Sequence, residues 1–402
     1  MVASSWSSNL GDGIAIAAGP LLVASLTDDP LLIAVAVMLH WLPPLLFGLY
    51  AGALSDRLDR RRLIIAVDLI RALILAVLAG VILTGSASIG LVLFVLFALA
   101  TAEVFADTTS QTLLPMLVER DDLALGNARL QAGFVTVNQL AGPPLGAALF
   151  AAGMALPFVA QSILIGAGAI LVSRIVLRRV SPPAEQTRIR HEIVEGIRWV
   201  RHHPAVRTLV LTIFTFNITF GAAWSVLVLY ATQRLGLGEI GFGLLTTVIA
   251  VGGLLGTVSY GWITRRVSLG NIMRVGLIIE TLTHLGLAVT TVPAIAMAVF
   301  FVFGLHAFVW GTTSITIRQR AVPTLLQGRV GSVNAVGTYG GLVVGAALGG
   351  VLARGYGITA PFWFAFGGSA VFLVLIWREL RHIAHADEGP APAPAALADE
   401  PG

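Results

Sequence analysis

Ionisable side chains stand where the chain is otherwise apolar. Asp12, His40, Asp68, Arg71, Glu103, Asp107, Glu280, His284 and His306 all fall inside long runs of Leu, Ile, Val, Ala, Gly and Phe. A charge in such surroundings is costly, so its presence points to work: carrying a proton, holding a ligand, or pairing internally. Asp68 and Arg71 are three apart, share a helix face and are expected to neutralise each other. Glu280 and His284, four apart, invite the same reading. His40 precedes Trp41-Leu42-Pro43-Pro44 and reads as a gating group or, preferably, a satisfied polar group at a kink. Asp12 has no local partner, and Asp107 follows Glu103 by one turn. A second constellation is the charged stretch Gly52-Ala53-Leu54-Ser55-Asp56-Arg57-Leu58-Asp59-Arg60-Arg61-Arg62, set between two apolar runs.

The elements that position these groups follow from composition. The 402 residues are 56% hydrophobic and 11% charged, with mean hydropathy +0.88. A soluble domain carries about 25% charged residues, so lipid is the solvent here. Cys is absent, which excludes disulfides and thiolate metal sites, and no metal site is expected. Lys is absent too, so the chain holds neither a Walker A lysine nor a Schiff-base lysine, and no catalytic residue is expected. Apolar runs long enough to span recur near 5–26, 31–54, 62–84, 89–110, 127–152, 157–178, 205–231, 240–263, 271–291, 293–317, 330–353 and 360–380. They are too long and continuous for barrel strands and read as helices.

Arginine sets the orientation. Of 25 arginines, all but Arg71, Arg234 and Arg354 fall in the loops after even-numbered spans or at the C-terminal end. The positive-inside rule then places both termini in the cytoplasm of a multi-pass plasma-membrane protein. The basic pI of 10.1 is thus a topology signal, and no nucleic-acid partner is expected. The first span follows Met1 closely with no basic leader, which reads as a start assigned too late rather than a cleaved signal.

The expected divisions are an N-terminal six-helix bundle over 1–179, a cytoplasmic linker over 180–204, a C-terminal six-helix bundle over 205–382 and a disordered tail over 383–402. In the linker, Ile189, Ile193, Ile197 and Val200 recur at helical spacing among charges, predicting an amphipathic helix at the membrane interface. The halves echo each other. Gln111-x-x-x-Pro115 returns as Gln319-x-x-x-Pro323, and Gly142-x-x-x-Gly146-Ala147-Ala148-Leu149 as Gly341-x-x-x-Gly345-Ala346-Ala347-Leu348. Gly48-x-x-x-Gly52 returns as Gly252-x-x-x-Gly256. Two bundles related by an axis along the membrane normal are the expected architecture: an all-α membrane protein of twelve helices in two pseudo-symmetric halves. Glycines four apart let helices approach closely.

The charged stretch resembles the loop between spans two and three of the major facilitator superfamily, Gly-x-Leu-x-Asp-Arg-x-Gly-Arg-Arg/Lys. Gly52, Leu54, Asp56, Arg57, Arg60 and Arg61 match it, and Asp59 replaces the second glycine. An Asp at that point is similar to the enterobactin-exporter and macrolide-efflux branch, as are Glu195-Gly196-Ile197-Arg198-Trp199 and His203-Pro204. Gly142-Pro143-Pro144-x-Gly146 resembles the family's antiporter motif. The resemblance implies that spans two, five, eight and eleven form the seam between the halves, with Gly48, Gly142, Pro143, Gly146, Gly252, Gly256, Gly341 and Gly345 facing it. It implies that Asp56 meets the helix beginning near Gly331, where free N–H groups favour a carboxylate, and that Arg57 or Arg60 reaches Asp107. That gating loop would lock one side shut; the alternative is a solvated loop that only sets topology. Spans one, four, seven and ten line the cavity in the family, which implies cavity or proton-coupling roles for Asp12, Glu103, Asn217, Trp224, His306 and Trp310. The plainer reading satisfies Asp12 and Glu103 with hydroxyls such as Ser8, Thr101 or Thr108, and makes the aromatics packing.

The resulting expectation is a secondary transporter, not an enzyme, that exports a small amphipathic molecule by proton antiport with alternating access. It needs no cofactor beyond a proton gradient, its partners are the substrate, protons and the lipid bilayer, and it is expected to act as a monomer. A solute importer on the same fold, and a non-transporting receptor or enzyme, are the rival readings.

Overall fold

The computed structural model describes residues 1–175 and 189–380, with the side chains at 56, 120, 189–193 and 325 outside the description. No strand occurs among the described residues. Ten helices are each long and apolar enough to cross a bilayer. They are spans one (Val2–Leu26), two (Pro30–Arg57), three (Arg60–Leu83), four (Ile89–Gln111), six (Leu156–Ser173), seven (opening with Pro204–Trp224), eight (Glu239–Thr264), nine (Leu269–Val289), ten (Pro293–Ala321) and eleven (Gln327–Tyr356). Span twelve is the shorter Ala360–Ile376. Span five is built of three pieces, Leu123–Gly133, a π-helical Phe134–Ala141 and Gly142–Ala152. Among the described residues these ten helices, with span five and the shorter span twelve, make up the twelve expected spans. The expected tail, and the expected end of span six beyond residue 175, lie outside the described residues.

The breaks have chemical causes. Pro143 and Pro144 lack N–H groups, so the carbonyls a turn before them lose their usual donors. The helix answers by slipping register, and the Gly142 N–H donates to the Val137 carbonyl, five residues back. Starts are capped by side chains: Asp29 accepts from the Leu31 N–H at 3.0 Å, and Asp59 from the Arg62 N–H at 3.0 Å. Asp59, the departure from the family's loop pattern, is thus the N-cap of span three.

Packing repeats with a period of six spans. Span one packs on five and six, two on four, and three on four and six; seven packs on eleven and twelve, eight on ten, and nine on ten and twelve. The halves meet through the pairs two–eleven and five–eight, which exchange under the same operation. This is the pseudo-symmetry of two six-helix bundles.

The two ends of the molecule differ. At one end the halves are pressed together: a Cβ at Gly350 would lie 2.7 Å from the Cβ of Ala34, and one at Gly243 would lie 2.7 Å from the Cβ of Ala147. At the other end, which carries the span two–three loop, Cβ atoms at Gly48, Gly52, Gly328 and Gly331 would meet open space. The molecule is closed on one face and open on the other.

The glycine pairs mark close approaches, but within halves. Cβ atoms at Gly142 and Gly146 would strike Gly13 and Ile14 of span one, those at Gly252 and Gly256 would strike Phe301 and Leu305 of span ten, and those at Gly341 and Gly345 would strike span seven. Cβ atoms at Gly48 and Gly52 would meet nothing within 4 Å. For these glycines the expected seam role is corrected, whereas Pro143 does lie at the five–eight contact, its carbonyl 3.0 Å from where a Cβ at Gly243 would sit: a small-residue stripe reports a near backbone without saying whose.

The linker helix spans Ile189–His202. Its Gly196 faces the backbone of Arg329, and Val200 packs with Val206, Val322 and Val330. Glu195 and Arg329 pair at 2.6 Å. Ile197 points outward, half exposed, so this helix docks on the start of span eleven. Ile189 and Ile193 have side chains outside the description.

Candidate functional site

A cavity of about 540 Å³ opens on the loosened face. Span two contributes His40, Trp41 and Gly48, span four Glu103 and Asp107, and span eleven Gly331, Ser332 and Tyr339. The Trp41 and Tyr339 rings stack across the halves, centroids 6.2 Å apart at 29°. His40 sits edge-on to Trp41 at 4.6 Å. The wall is thus aromatic with two carboxylates.

Behind that wall lies a charge network. Arg71 of span three is buried, 3% exposed, and donates to Asp12 Oδ1 at 2.5 Å and to Asp68 Oδ1 at 3.3 Å. The expected Asp68–Arg71 pair is present, and Asp12, which showed no local partner along the chain, has a distant one fifty-nine residues on. Glu103 and Asp107 lie in the field of the same guanidinium. One cation therefore faces four carboxylates. Among the described residues no hydrogen bond or ion pair is made by Glu103 or Asp107. Thr101 spends its hydroxyl on the Phe97 carbonyl.

The described bonds of the gating loop stay within the N-terminal half. Arg60 donates to the Ser55 carbonyl at 3.2 Å and to the Met116 sulfur at 3.3 Å, and Arg61 to the Ser173 carbonyl. The expected bridge from Arg57 or Arg60 to Asp107 is not formed, because the face it would lock is open here. The Asp56 side chain lies outside the description.

The residues expected from spans seven and ten are elsewhere. Asn217 donates to its own helix at Ile213 and packs beneath Gly341. Trp224 stacks on Phe220 at 4.2 Å and meets Phe300, Phe303 and His284. His306 is buried against Phe303, and Trp310 against Gly276. These four belong to the interior of the C-terminal bundle, and the lining of the 540 Å³ cavity does not include them. Spans two and eleven, splayed apart on this face, supply its walls instead. Sequence reading missed Tyr339 and the Asp12–Arg71 bond. Tyr339, an aromatic placed just before Gly340-Gly341 in a stretch of small residues, was the available signal for the first.

Comparison with known proteins agrees with this fold. The family model described as Major Facilitator Superfamily matches residues 1–341. The multidrug efflux pump Tap of Mycolicibacterium fortuitum is 29% identical, over 92% of this chain and 93% of that protein. Macrolide efflux protein A of Streptococcus pyogenes is 23% identical, over 87% of each. A bacterial homologue of the iron transporter ferroportin, 18% identical, superposes with a TM-score of 0.70 in its inward-facing state, covering 94% of this chain and 97% of that one. The outward-facing state of such a homologue, 19% identical, gives 0.54 over 94% and 99%.

Proposed function

The chain belongs to the major facilitator superfamily, and we propose that it exports a cationic or zwitterionic amphipathic molecule across the plasma membrane in exchange for protons. The relatives named as a multidrug efflux pump and a macrolide efflux protein support the direction. The observation that carries the reading is the pair Glu103 and Asp107, unpaired on the wall of a cavity with the Trp41–Tyr339 stack. Carboxylates beside aromatic faces suit an organic cation, which gains both charge pairing and ring contact.

The mechanism follows from the imbalance of charge. Four carboxylates share one guanidinium in a low-dielectric interior, so a further positive charge is favoured there. A proton and a substrate cation both supply it, and each makes the other less needed. Competition for one site, read out alternately on the two faces, is antiport. The arginine-rich loops support a cytoplasmic orientation of the open face, where an exporter loads. The Asp12–Arg71–Asp68 network sets the field, and Glu103 is the exchanging group.

The experiment adds ethidium, a lipophilic cation, to detergent-solubilised protein in weak buffer and measures proton release. Release that saturates with ethidium and disappears in Glu103→Gln is the expected result. Saturable ethidium binding with no proton release would overturn the exchange.

A further inference from the structure

Spans two and eleven run side by side in opposite directions, and the contact between them changes character along its length. Toward the closed face it is tight: a Cβ at Gly350 would lie 2.7 Å from the Cβ of Ala34 and 3.2 Å from the Cα of Leu31. Two turns further along span two, and three turns back along span eleven, the Trp41 and Tyr339 rings stack with centroids 6.2 Å apart. Beyond them toward the open face, Cβ atoms at Gly48 and Gly52 of span two, and at Gly328 and Gly331 of span eleven, would meet nothing within 4 Å. The ring pair sits where the two helices part.

The cavity ends at the same place. On span two its lining reaches no further than His40, and on span eleven no further than Tyr339. His40 stands edge-on to Trp41 at 4.6 Å, so the indole is held from the side as well as from across the halves. Next to this end, Leu21 and Leu22 of span one and Val226 and Leu227 of span seven belong to one buried cluster. That apolar closure lies outside the cavity lining, whereas the two rings face a molecule inside it.

Both helices are weakened beside their ring. Pro43 and Pro44 lie inside span two and have no N–H, so the Leu39 and His40 carbonyls lose their usual donors. In span eleven Tyr339 is followed directly by Gly340 and Gly341 and preceded by Gly337. Helices bend at such points. The segments on either side of the rings can therefore tilt without dragging the whole helix with them.

We propose that Trp41 and Tyr339 form the outward gate of the cavity. Ring-on-ring contact across the halves keeps it shut while the other face is open, and tilting of spans two and eleven about the Pro43–Pro44 and Gly340–Gly341 positions parts the rings. A molecule leaving the cavity toward the closed face along this seam meets these two side chains first. The gate concerns the path and not the cargo.

The test reads access past the rings. Met38 lies one turn from Trp41 toward the closed face, on the stripe of span two that carries Ala34, and it is not part of the cavity lining. The chain has no cysteine, so Met38→Cys is a unique label. The full chain in nanodiscs of zwitterionic lipid is treated with a sulfonated maleimide, which is too polar to enter lipid. Met38→Cys is expected to react about tenfold more slowly than Ser332→Cys, whose parent residue lines the cavity. Adding Trp41→Ala and Tyr339→Ala is expected to raise the Met38→Cys rate about tenfold, whereas Trp41→Phe with Tyr339→Phe keeps two rings and leaves it slow. Tyr339→Ala alone, which leaves span two as it is, is expected to give a smaller rise. Labelling as slow with both alanines as with both rings overturns the proposal. So does a Met38→Cys that reacts as fast as Ser332→Cys while the rings are in place. The labelling uses no substrate and no gradient, so its outcome is separate from whether Glu103 exchanges protons.

Discussion

Arg354, near the end of span eleven, reaches Asp29, at the start of span two, across the two halves at 3.7 Å. The pair sits on the closed face, beside the contact of Gly350 with Leu31 and Ala34. Because it bridges the halves on the closed face, opening that face is expected to break it, so that the pair biases the alternation. Both side chains are partly exposed, which limits the pair to about 0.5 kcal/mol, or roughly a twofold shift in population. Arg354→Gln is the cleaner variant, because Asp29 also caps span two. The chain has no cysteine, so Ser332→Cys provides a unique label in the open cavity. Its labelling rate is expected to fall about twofold with Arg354→Gln; an unchanged rate would remove the pair from the alternation.

Two glycines of span eleven separate folding from switching. A Cβ at Gly345 would lie 2.3 Å from the Ile218 carbonyl oxygen, inside one half, whereas one at Gly350 would meet the other half. Gly345→Leu is expected to lower the thermal midpoint in detergent, since helix seven cannot recede without unpacking the bundle. Gly350→Leu is expected to keep that midpoint and to depress labelling at Ser332→Cys, since bulk on the closed face favours its opening. Equal loss of thermal stability in both variants would contradict the division.

These glycines also show what the sequence could and could not tell. Hydropathy, arginine placement and the internal repeat are local or periodic signals, and they located the described ends of the twelve spans to within a few residues. The Gly142–Gly146 and Gly341–Gly345 pairs correctly announced close helix contacts. Their partners, spans one and seven, depended on which way each helix is rotated, and spacing on one helix does not encode that. Likewise Asp68–Arg71 was readable because i,i+3 neighbours share a face, whereas Asp12–Arg71 joins two helices and has no signature in either. The cavity walls depend on conformation. A sequence is common to both faces of the cycle, so it does not say that spans two and eleven are parted here or that Arg60 bonds Ser55 and Met116 rather than Asp107.

Asp59 can be tested as a cap. Its side chain holds the Arg62 N–H at the entrance to span three, at a solvated position. Asp59→Ala is expected to cost about 1 kcal/mol, and Asp59→Gly only a few tenths. Thermal melts of the two variants check the order. A Gly variant as unstable as the Ala variant would mean that the side chain acts through something other than the cap.

Arg71 is the structural centre of the carboxylate network. Replacing it by Leu leaves Asp12 and Asp68 buried without their cation, at a cost of about 3–5 kcal/mol. Adding Asp12→Asn and Asp68→Asn removes the stranded charges and is expected to restore most of the lost thermal stability. A triple variant no more stable than Arg71→Leu alone would show that the loss comes from packing rather than charge.

The last prediction separates Glu103 from Asp12. Glu103 stands on the cavity wall without an ion pair, and Asp12 stands behind it, bonded to Arg71. A substrate cation can reach the first and not the second. Glu103→Gln therefore removes both the substrate's partner and the exchanging proton, and ethidium binding is expected to weaken at least tenfold, about 1.4 kcal/mol. Asp12→Asn leaves the wall intact but removes one of the two carboxylates bonded to Arg71, whose freed N–H can turn toward Glu103 and stand in for the proton. Ethidium is then expected to bind and to move down its gradient, while accumulation driven by an imposed pH difference in proteoliposomes is lost. A double variant Asp12→Asn, Glu103→Gln that still accumulates ethidium under that pH difference would show that the coupling proton travels by another route, and the assignment of exchange to Glu103 would fall.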